Sequence, residues 1–491
     1  MGTRGEIRFL LGEEPVALSS VDPNTTLLDY LRAGGRCGTK EGCGEGDCGA
    51  CTVVLAEAHD GGLRYRAVNA CIQLLAAVDG KQVLTVEDLR APDGGLHPVQ
   101  TALIEEEATQ CGFCTPGFVM SLFALYRQGV QPDRGGLADA LAGNLCRCTG
   151  YGPIVAAGLR ALRAPPADRI AMREAGVAEK LAAWRGEGES LAYRATGRRY
   201  DAPRSRDELA ALLAKDPAAT IVAGLTDVGI WITKQHQRLE QVVYLGEVAE
   251  LAEIRQDDGV LEIGATVTYS DVLLVLAGHW PDLGELLRRL GSMQIRNVAT
   301  IGGNIANGSP VGDMPPPLIA LDTRLVLGSE AGRREIALEA FFLDYGRQDL
   351  RPGEFVEAVR LPLPTAGDRF HCYKLTKRFD QDISSVCGAF YLHVDDGGTV
   401  DAVRFAYGGM AGIPKRAPAA EAAVLGRRWD EPVVRSAMTA LDGDFTPISD
   451  HRASSAYRIL AARNLLYKFY LESTGAKMPA RLPGLGGAAD G

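Results

Sequence analysis

The sequence lacks the features that mark membrane, secreted and nucleic-acid-binding proteins. It has no run of the ~18 uninterrupted apolar residues that a membrane-spanning helix needs, and its N-terminal segment alternates polar and apolar residues instead of forming the apolar core of a signal peptide. The 62 acidic residues outnumber the 52 basic ones, which gives a net charge of −10 and disfavours a broad phosphate-binding surface. We therefore expect a cytoplasmic protein with no membrane or nucleic-acid partner.

Length and cysteine content predict several domains and a metal site. The 491 residues exceed one compact core and indicate about two to four domains. Eleven cysteines, an odd number, do not suit a disulfide framework, and disulfides are rare in the cytoplasm. Eight cysteines form two groups of four before residue 150. We expect the other three to be small core residues: Cys37, Cys372 and Cys387.

The first group has the spacing of a plant-type 2Fe-2S site. Its members follow the pattern C-x4-C-x2-C, with a fourth cysteine twenty residues further on: Cys43, Cys48, Cys51 and Cys71. Several glycines allow the loop to curl around a cluster, because glycine adopts positive φ at little cost: Gly42, Gly44, Gly46 and Gly49. A zinc loop is the alternative, although zinc prefers close C-x2-4-C pairs.

The second group consists of two close cysteine pairs: Cys111, Cys114, Cys146 and Cys148. The segments around them repeat apolar residues at intervals of three and four, which is typical of helices. Two close pairs suit a tetrahedral zinc ion as well as an iron–sulfur cluster. The spacing alone leaves both alternatives open.

The segments around both groups resemble the two 2Fe-2S domains of the molybdenum hydroxylase family. GTKEGCGEGDCGACTV is similar to the first domain, and QCGFCTPGFVMSL with GNLCRCTGY is similar to the second. The resemblance implies that each group of four cysteines binds one 2Fe-2S cluster, and that Gln110 contacts a pterin cofactor on a partner. Gly152 departs from the family pattern, where arginine is common, which puts a contact at the edge of the helical domain in doubt.

Two glycine-rich segments resemble the FAD-binding domain of xanthine dehydrogenases, which belong to the same family. They are IVAGLTDVGIW at 221–231 and ATIGGNIANGSPVGD at 299–313, and without this resemblance they would be ordinary loops. Successive backbone N–H groups in such turns can bind a pyrophosphate. The resemblance implies cofactor contacts from Ile221, Val222, Ala223, Gly224, Leu225, Thr226, Asp227, Val228, Thr300, Ile301, Gly302, Gly303, Asn304, Asp313, Val356 and Lys374.

Two further features of this half follow from the resemblance. Leu225 is bulkier than the small residue usual in relatives, so its contact with FAD would be through the backbone. The segment KLTKRFDQDIS at 374–384 would lie over the flavin and influence whether NAD or oxygen accepts electrons. A solvated turn is the alternative for this segment.

The expected fold is a multidomain α+β protein. We predict a β-grasp ferredoxin-like 2Fe-2S domain at 1–90, a four-helix 2Fe-2S bundle at 91–163, a linker at 164–190, an FAD-binding domain at 191–366, a C-terminal flavoprotein domain at 367–477 and a flexible tail at 478–491. By resemblance, the FAD-binding part is a two-part α+β domain of the vanillyl-alcohol oxidase and p-cresol methylhydroxylase type. It is not a Rossmann fold, and its C-terminal extension is also α+β.

The resemblance implies the small, electron-transfer subunit of a bacterial xanthine dehydrogenase, an oxidoreductase of purine catabolism. Electrons would pass from a molybdenum centre through two 2Fe-2S clusters to FAD and then to NAD, with no side chain of this chain acting as a catalytic acid or base. The molybdopterin cofactor would lie on a large partner subunit, in a heterotetramer of two small and two large subunits. The alternatives are the equivalent subunit of a hydroxylase for aldehydes, nicotinate or aromatic acyl-CoA, and a zinc-bound scaffold or redox sensor.

Overall fold

The computed structural model describes residues 2–89, 94–163 and 168–475. Contacts within the chain divide it into two compact units. The first contains Met1–Leu209, Ala218–Ala249 and Gly291–Ala299, and the second contains Ala210–Pro217, Glu250–Leu290 and Thr300–Gly491. In the described part of the chain, no helix is long and apolar enough to cross a membrane.

A five-stranded mixed sheet begins the first unit. In spatial order its strands are Glu14–Leu18, Ile7–Leu11, Gln82–Leu84, Thr52–His59 and Gly62–Asn69. Ile7–Leu11 and Gln82–Leu84 are parallel, and the other neighbours are antiparallel. The helix Leu27–Ala33 begins after Thr26, whose hydroxyl accepts a hydrogen bond from the backbone N–H of Asp29. Two 3-10 turns, Leu75–Val78 and Val86–Asp88, complete this β-grasp domain.

The strand Thr52–His59 has apolar side chains on both faces because both faces are covered. Val53 belongs to one core, together with Tyr193. Val54 belongs to another core, together with Phe123. Successive residues of a strand point to opposite faces, so one continuous apolar run serves two cores.

The core that contains Val54 and Phe123 lies between the sheet and four helices. The helices are Pro98–Glu105, Thr115–Gln128, Arg134–Leu141 and Gly152–Ala161. The helix Thr115–Gln128 packs on the strands Thr52–His59 and Gly62–Asn69, and every residue from Gly117 to Tyr126 is buried. The four-helix bundle predicted from the apolar periodicity is confirmed.

Part of the segment predicted as a linker is a helix. Arg169–Gly186 is 18 residues long and packs against two strands of the first sheet. Only Ala178 and Leu181 in it are fully buried. A helix with so few buried positions has no sustained apolar stripe, which explains why its sequence showed no helical periodicity.

A second five-stranded sheet completes the first unit. In spatial order its strands are Thr3–Arg4, Ser190–Ala195, Arg198–Ala202, Gln241–Tyr244 and Thr220–Val222. Thr3–Arg4 pairs in parallel with the start of Ser190–Ala195. A segment that precedes the helical bundle in the sequence and one that follows it therefore share one sheet. The helices Val228–Thr233 and Met293–Arg296 also belong to this unit, and the helix Arg206–Lys215 contributes residues to both units.

The second unit contains two larger antiparallel sheets and a small hairpin. The strands of the first sheet are, in spatial order, Ile254–Asp257, Val260–Gly264, Phe355–Pro362, Arg324–Ser329 and Gly332–Ala337. The part of the sequence that forms this sheet also contains five helices: Tyr269–His279, Pro281–Arg288, Ile301–Asn307, Pro315–Ala320 and Leu338–Phe341. The hairpin is formed by Phe342–Asp344 and Arg347–Gln348. The second sheet contains Asp368–Leu375, Val386–Val394, Val400–Gly408 and Lys415–Arg416, followed by the helices Pro418–Ala422, Glu431–Asp444 and Ser455–Ser473.

The predicted multidomain α+β class is confirmed, while the exact domain boundaries stay predictions. The tail predicted at 478–491 and the first four linker residues, 164–167, lie outside the described residues. Cys372 and Cys387 are buried as expected. The prediction for Cys37 was wrong, because Cys37 is exposed in the loop that leads to the first cysteine group.

A buried charged cluster caps the helix that follows Asp168. The Asp168 carboxylate is fully buried and accepts hydrogen bonds from Nε2 of His97 (3.0 Å) and from the backbone N–H of Ala171 (2.7 Å). Nδ1 of His97 accepts from the backbone N–H of Val99, which leaves Nε2 as the donor. Burial raises the pKa of Asp168, but these hydrogen bonds and the charge of Arg127 outweigh it and lower the pKa.

The substitution Asp168→Asn should lower the free energy of unfolding by about 1–3 kcal/mol at pH 7, the usual contribution of hydrogen bonds to a charged group. A carboxyl group whose pKa is lowered by folding stabilises the protein above its unfolded pKa of about 3.9 and loses that contribution as the pH falls through the folded pKa. The difference between variant and wild type should therefore be smaller at pH 3 than at pH 7, which chemical denaturation at the two pH values measures.

Asp133→Asn is the matched control, because Asp133 caps the helix Arg134–Leu141 in the same way but is exposed. Asparagine is as good a helix cap as aspartate, so this variant should change stability by less than about 0.5 kcal/mol. Equal losses in the two variants would contradict a special role for the Asp168 charge.

Candidate functional site

The first cysteine group lies in the loop before the strand Thr52–His59 and at the end of the strand that pairs with it. Cys51 and Cys71 are each only 2% exposed, while Cys43 and Cys48 are half-buried. The thiols of Cys43 and Cys48 contact each other, as do those of Cys43 and Cys71 and those of Cys51 and Cys71. The structure thus brings together the four cysteines that the spacing predicted.

Backbone N–H groups of the loop point at the sulfur atoms. The Cys43 Sγ accepts from the N–H groups of Glu45 (3.4 Å), Asp47 (3.3 Å) and Cys48 (3.3 Å), and the N–H of Cys43 donates to the Cys48 Sγ (3.3 Å). Hydrogen bonds, first of all from Cys48, lower the pKa of Cys43. The thiolate form is therefore favoured at Cys43, whereas the contact with Cys43 raises the pKa of Cys48 and of Cys71.

Three of the four loop glycines have the positive φ that the sequence predicted. The φ angles of Gly44, Gly46 and Gly49 are 67°, 80° and 68°. Gly42 has no such angle, but a Cβ atom at Gly42 would lie 2.8 Å from the Cys48 Sγ. Gly42 therefore provides space for a sulfur atom instead of an unusual backbone conformation.

The second cysteine group lies at one end of the helical bundle. Cys111 and Cys148 are exposed, Cys114 is half-buried and Cys146 is buried. Burial and a contact with Cys146 raise the pKa of Cys114 to about 12. This thiol needs a bound cation to lose its proton at neutral pH.

Cys146 is positioned by its own loop. Its Sγ accepts from the N–H groups of Cys148 (3.4 Å) and Thr149 (3.5 Å), and its N–H donates to the hydroxyl of Tyr151 (3.0 Å). Gly152 begins the next helix, and a Cβ atom there would meet nothing within 4 Å. The family departure at Gly152 therefore leaves the geometry of the cysteines unaffected.

The two cysteine groups are joined by direct backbone contact. The N–H of Leu145 donates a hydrogen bond to the carbonyl of Cys48 at 3.0 Å. A side chain at Gly49 would overlap the carbonyl of Gly143. Cys48 of the first group is thus hydrogen-bonded to the residue that precedes Cys146 of the second group.

The segment 221–228 lies directly behind the first cysteine group. Leu225 at its centre has a φ of 64° and a side chain buried in the same core as Cys51 and Cys71, and its predicted contact with FAD stays a prediction. A side chain at Gly229, in the helix that follows, would overlap the carbonyl of Ile72, the residue after Cys71. This helix is therefore in backbone contact with the neighbour of a cysteine of the first group.

The other residues expected to bind FAD lie in the second unit. Thr300 caps the helix Ile301–Asn307, and its hydroxyl accepts from the N–H of Gly303 at 3.0 Å. Gly303 is exposed, while the Oδ1 of Asn304 is buried without a hydrogen-bond partner in the described structure. Gly302 packs against the backbone of Ala265, so close that it has no room for a side chain.

Asp313 is the centre of a buried polar group. Its carboxylate is paired with the ammonium of Lys374 and accepts a hydrogen bond from the hydroxyl of Ser384. Val356 is buried in the strand Phe355–Pro362 of the same unit. The pairing of Lys374 and Asp313 balances two charges that would be costly to bury alone.

Four sequence families match consecutive parts of the chain. Residues 10–74 match the 2Fe-2S iron-sulfur cluster binding domain and residues 85–159 match the 2Fe-2S binding domain. Residues 194–364 match the FAD binding domain in molybdopterin dehydrogenase, and residues 371–473 match the CO dehydrogenase flavoprotein C-terminal domain. This chain carries the iron–sulfur and FAD-binding domains of the molybdenum hydroxylase family.

The relatives of this chain are enzymes with several different activities. The xanthine dehydrogenase of Emericella nidulans is 34% identical over 94% of this chain and 38% of its own length. Aldehyde oxidase 2 of Cavia porcellus is 30% identical over 94% of this chain and 39% of its own. A solved structure of carbon monoxide dehydrogenase from Hydrogenophaga pseudoflava, lacking the Mo-pyranopterin moiety of its cofactor, is 30% identical with a TM-score of 0.52, over 54% of this chain and 93% of that chain. The chain thus spans about two fifths of the curated relatives it matches.

Three residues for which the sequence predicted no individual role occupy key positions. Ser384 donates to Asp313. Arg289 donates to the carbonyl of Lys374 at 3.2 Å, and its guanidinium lies 4.3 Å from the ring centre of Phe379. Gln294 lies between the cysteine groups. Ser384 ends the segment 374–384, whereas Arg289 and Gln294 belong to no local motif, so only the tertiary structure reveals their contacts.

The segment predicted to gate the electron acceptor, residues 374–384, contains a hydrogen-bonded turn. Asp382 accepts from the N–H groups of Lys377 (3.1 Å) and Arg378 (2.8 Å), and Phe379 at its tip is 36% exposed. Arg289 connects this turn to the strand that carries Lys374. Its influence on the electron acceptor stays a prediction.

Gly49→Ala should destabilise the first cysteine loop and lower its iron content. The left-handed backbone costs alanine about 1–2 kcal/mol, and the overlap with the Gly143 carbonyl adds about 1–3 kcal/mol. Iron per chain and the free energy of unfolding measure the effect. Gly129→Ala is the control, since Gly129 has a φ of 66° and an open surrounding; it should show only the backbone cost and keep its iron. Full iron in both variants would contradict the contact.

Proposed function

We propose that this chain is the electron-transfer subunit of a xanthine dehydrogenase, passing electrons from a molybdenum centre on a partner subunit to NAD. The observation that carries the proposal is a pair of backbone contacts within the first unit. One joins Leu145, the neighbour of Cys146, to Cys48, and the other joins Ile72, the neighbour of Cys71, to Gly229 in the helix Val228–Thr233. Contacts of this kind suit a relay of redox centres. When bound, two 2Fe-2S clusters and FAD would supply one-electron carriers and a two-electron reductant for NAD.

The cysteine groups fit the clusters by their donor chemistry. Each offers four thiols, and in each group one sulfur accepts two or three hydrogen bonds from backbone N–H groups. We propose that Cys43, Cys48, Cys51 and Cys71 bind one cluster and that Cys111, Cys114, Cys146 and Cys148 bind the other. The chain's own role is to fix the ligands, donate to the sulfurs and exclude water from the buried pair Cys51 and Cys71.

The FAD contacts expected from the resemblance fit a bound cofactor. The buried Oδ1 of Asn304 has no partner among the described residues, and an unpaired buried acceptor of this kind costs about 1–3 kcal/mol unless a ligand donates to it. We propose that 221–228, 300–304, Asp313, Val356 and Lys374 contact FAD. The Asp313 carboxylate accepts from cofactor hydroxyl groups in this proposal.

The partner is proposed to cover the exposed end of the helical bundle. Phe113, Leu145 and Tyr151 are 47%, 42% and 39% exposed, and each lies next to a cysteine of the second group or contacts it. Exposed apolar side chains around a redox site are typical of a protein interface. Gln110 is also exposed there. We propose that a large subunit with the molybdopterin cofactor binds this end, in a heterotetramer.

Xanthine is the proposed substrate of the complex, because the fungal xanthine dehydrogenase is the more similar of the two curated relatives compared above. An aldehyde is the second candidate, favoured by the aldehyde oxidase match over the same share of the chain. The substrate would bind the partner subunit, so the proposal is tested on the complex and not on this chain alone.

Cys148→Ser should separate the two halves of the relay. In the complex purified with its partner, xanthine-dependent reduction of NAD should fall to background. The reason is that the second cysteine group, whose cluster would receive electrons from the molybdenum centre, loses one of its four thiols. NADH-dependent reduction of ferricyanide needs only the flavin end and should stay near wild type. Cys37→Ser, at an exposed cysteine outside both groups, should leave both activities unchanged. Unchanged xanthine turnover in Cys148→Ser would contradict the proposed order of centres.

Gly303→Leu should weaken FAD binding. The new Cβ atom would lie 2.8 Å from the Thr300 hydroxyl, and the side chain would fill the exposed start of the helix. A steric cost of about 1–3 kcal/mol corresponds to roughly 5- to 150-fold weaker binding. Flavin released per chain measures the loss. Gly278→Leu, at an exposed helical glycine with open surroundings in the same unit, is the control, and full flavin in both variants would argue against this loop.

A further inference from the structure

Gln294 is a buried side chain that contacts three segments near the cysteine groups. It lies in the short helix Met293–Arg296 and is 1% exposed. Its Nε2 lies within hydrogen-bond distance of Thr52 Oγ1 (3.3 Å), Ser121 Oγ (3.1 Å) and Asn144 Oδ1 (3.0 Å). The first acceptor follows Cys51 directly, the second is in the helix that begins after Cys114, and the third is two residues before Cys146.

The acceptors of Gln294 are themselves linked by oriented hydrogen bonds. The Ser121 hydroxyl donates to Asn144 Oδ1 (2.7 Å), and the Thr52 hydroxyl donates to the carbonyl of Gly49 (2.7 Å). Asn144 Nδ2 donates to the same carbonyl at 3.2 Å. Since both hydroxyl protons are used in this way, the oxygens are free to accept, and the Gln294 amide supplies the N–H groups that join the segments.

The backbones around this network are in contact. A side chain at Gly49 would overlap Gly143, one at Gly117 would overlap the carbonyl of Gly49, and one at Gly143 would overlap Gln294 itself. With no side chains between them, the loops are as close as backbones can come. Backbone contact sets how closely the loops approach, and the hydrogen-bond network of Gln294 holds them in register at that distance.

The surroundings of the Gln294 Oε1 atom support a role for the hydrogen bonds that Nε2 donates. It is buried without a partner in the described structure, a state that usually costs about 1–3 kcal/mol. An apolar residue of similar size would avoid that cost. A glutamine is advantageous at this site only through the hydrogen bonds that its Nε2 donates.

We propose that Gln294 is a positioning residue that fixes the distance and orientation between the two cysteine groups, and hence between their clusters. The inference rests on the proposed function, because it requires that both groups bind 2Fe-2S clusters. It adds that a residue of the flavin-binding half of the sequence, more than 140 positions from the nearest cysteine ligand, controls how the clusters interact.

The test is Gln294→Met in the full-length chain, with reduced clusters studied by electron paramagnetic resonance. Methionine keeps the length and the apolar stem but donates no hydrogen bond. Gln82→Met is the matched control. Gln82 is also buried in the first unit, its Nε2 makes one hydrogen bond to the carbonyl of Gly12 (2.8 Å), and its Oε1 also lacks a partner in the described structure.

The expected result is a loss of dipolar splitting between the two clusters in Gln294→Met, with iron content equal to wild type. Gln82→Met should show the wild-type splitting, since a general loss of core stability does not change the distance between clusters. Wild-type splitting in Gln294→Met would overturn the inference while leaving the proposed function intact. Absence of both cluster signals in the wild-type chain would instead refute the proposed function.

Ser121→Ala keeps the test decisive if Gln294→Met does not fold. Alanine removes one acceptor of the Gln294 amide and the donor to Asn144, but it leaves the glutamine in place. A smaller loss of splitting in the same direction supports the inference. Wild-type splitting in this variant overturns it.

Discussion

The backbone contact between the two cysteine loops is the constraint on which the first unit depends. At Gly49, Gly117 and Gly143 the chain has no room for a side chain, because backbone atoms of one loop, or the Gln294 amide, occupy that space. Contact at this point requires the helix Thr115–Gln128 to lie against the strand Thr52–His59. The strand is consequently buried on both faces from Thr52 to Ala56, and Val53 to Ala56 are all apolar. The close approach of the two cysteine groups and the shared hydrophobic cores thus have one structural cause.

Glycine has two separate roles at the candidate sites. Gly44, Gly46 and Gly49 have left-handed backbone angles that curl the loop around the sulfurs. Gly42 and Gly229 have ordinary backbone angles but lie where a Cβ atom would overlap a sulfur or a carbonyl. Leu225 shows the reverse case, since it has a left-handed φ although it is not glycine, and its buried side chain stabilises the turn. Space and conformation are therefore distinct requirements, and a substitution at each position would fail for a different reason.

The sequence predicted what depends on local spacing and missed what depends on distant contacts. The two groups of cysteines were predicted from intervals of a few residues, and the helices of the second domain from apolar periodicity, because both signals are local. The strand Thr3–Arg4 and its pairing with Ser190–Ala195 could not be predicted, since 186 positions separate the paired residues Thr3 and Ser190. The helix Arg169–Gly186 buries too few side chains to leave a periodic pattern. Gln294 has no motif at all, and its role follows only from the three segments that meet around it.

The central claim is that eight thiolates bind two 2Fe-2S clusters, and its most direct test is metal and acid-labile sulfide analysis of the chain purified without oxygen. The account predicts about four irons and four sulfides per chain, with little zinc. Two zinc ions per chain and no sulfide would contradict it, because each cysteine group would then bind a single tetrahedral ion.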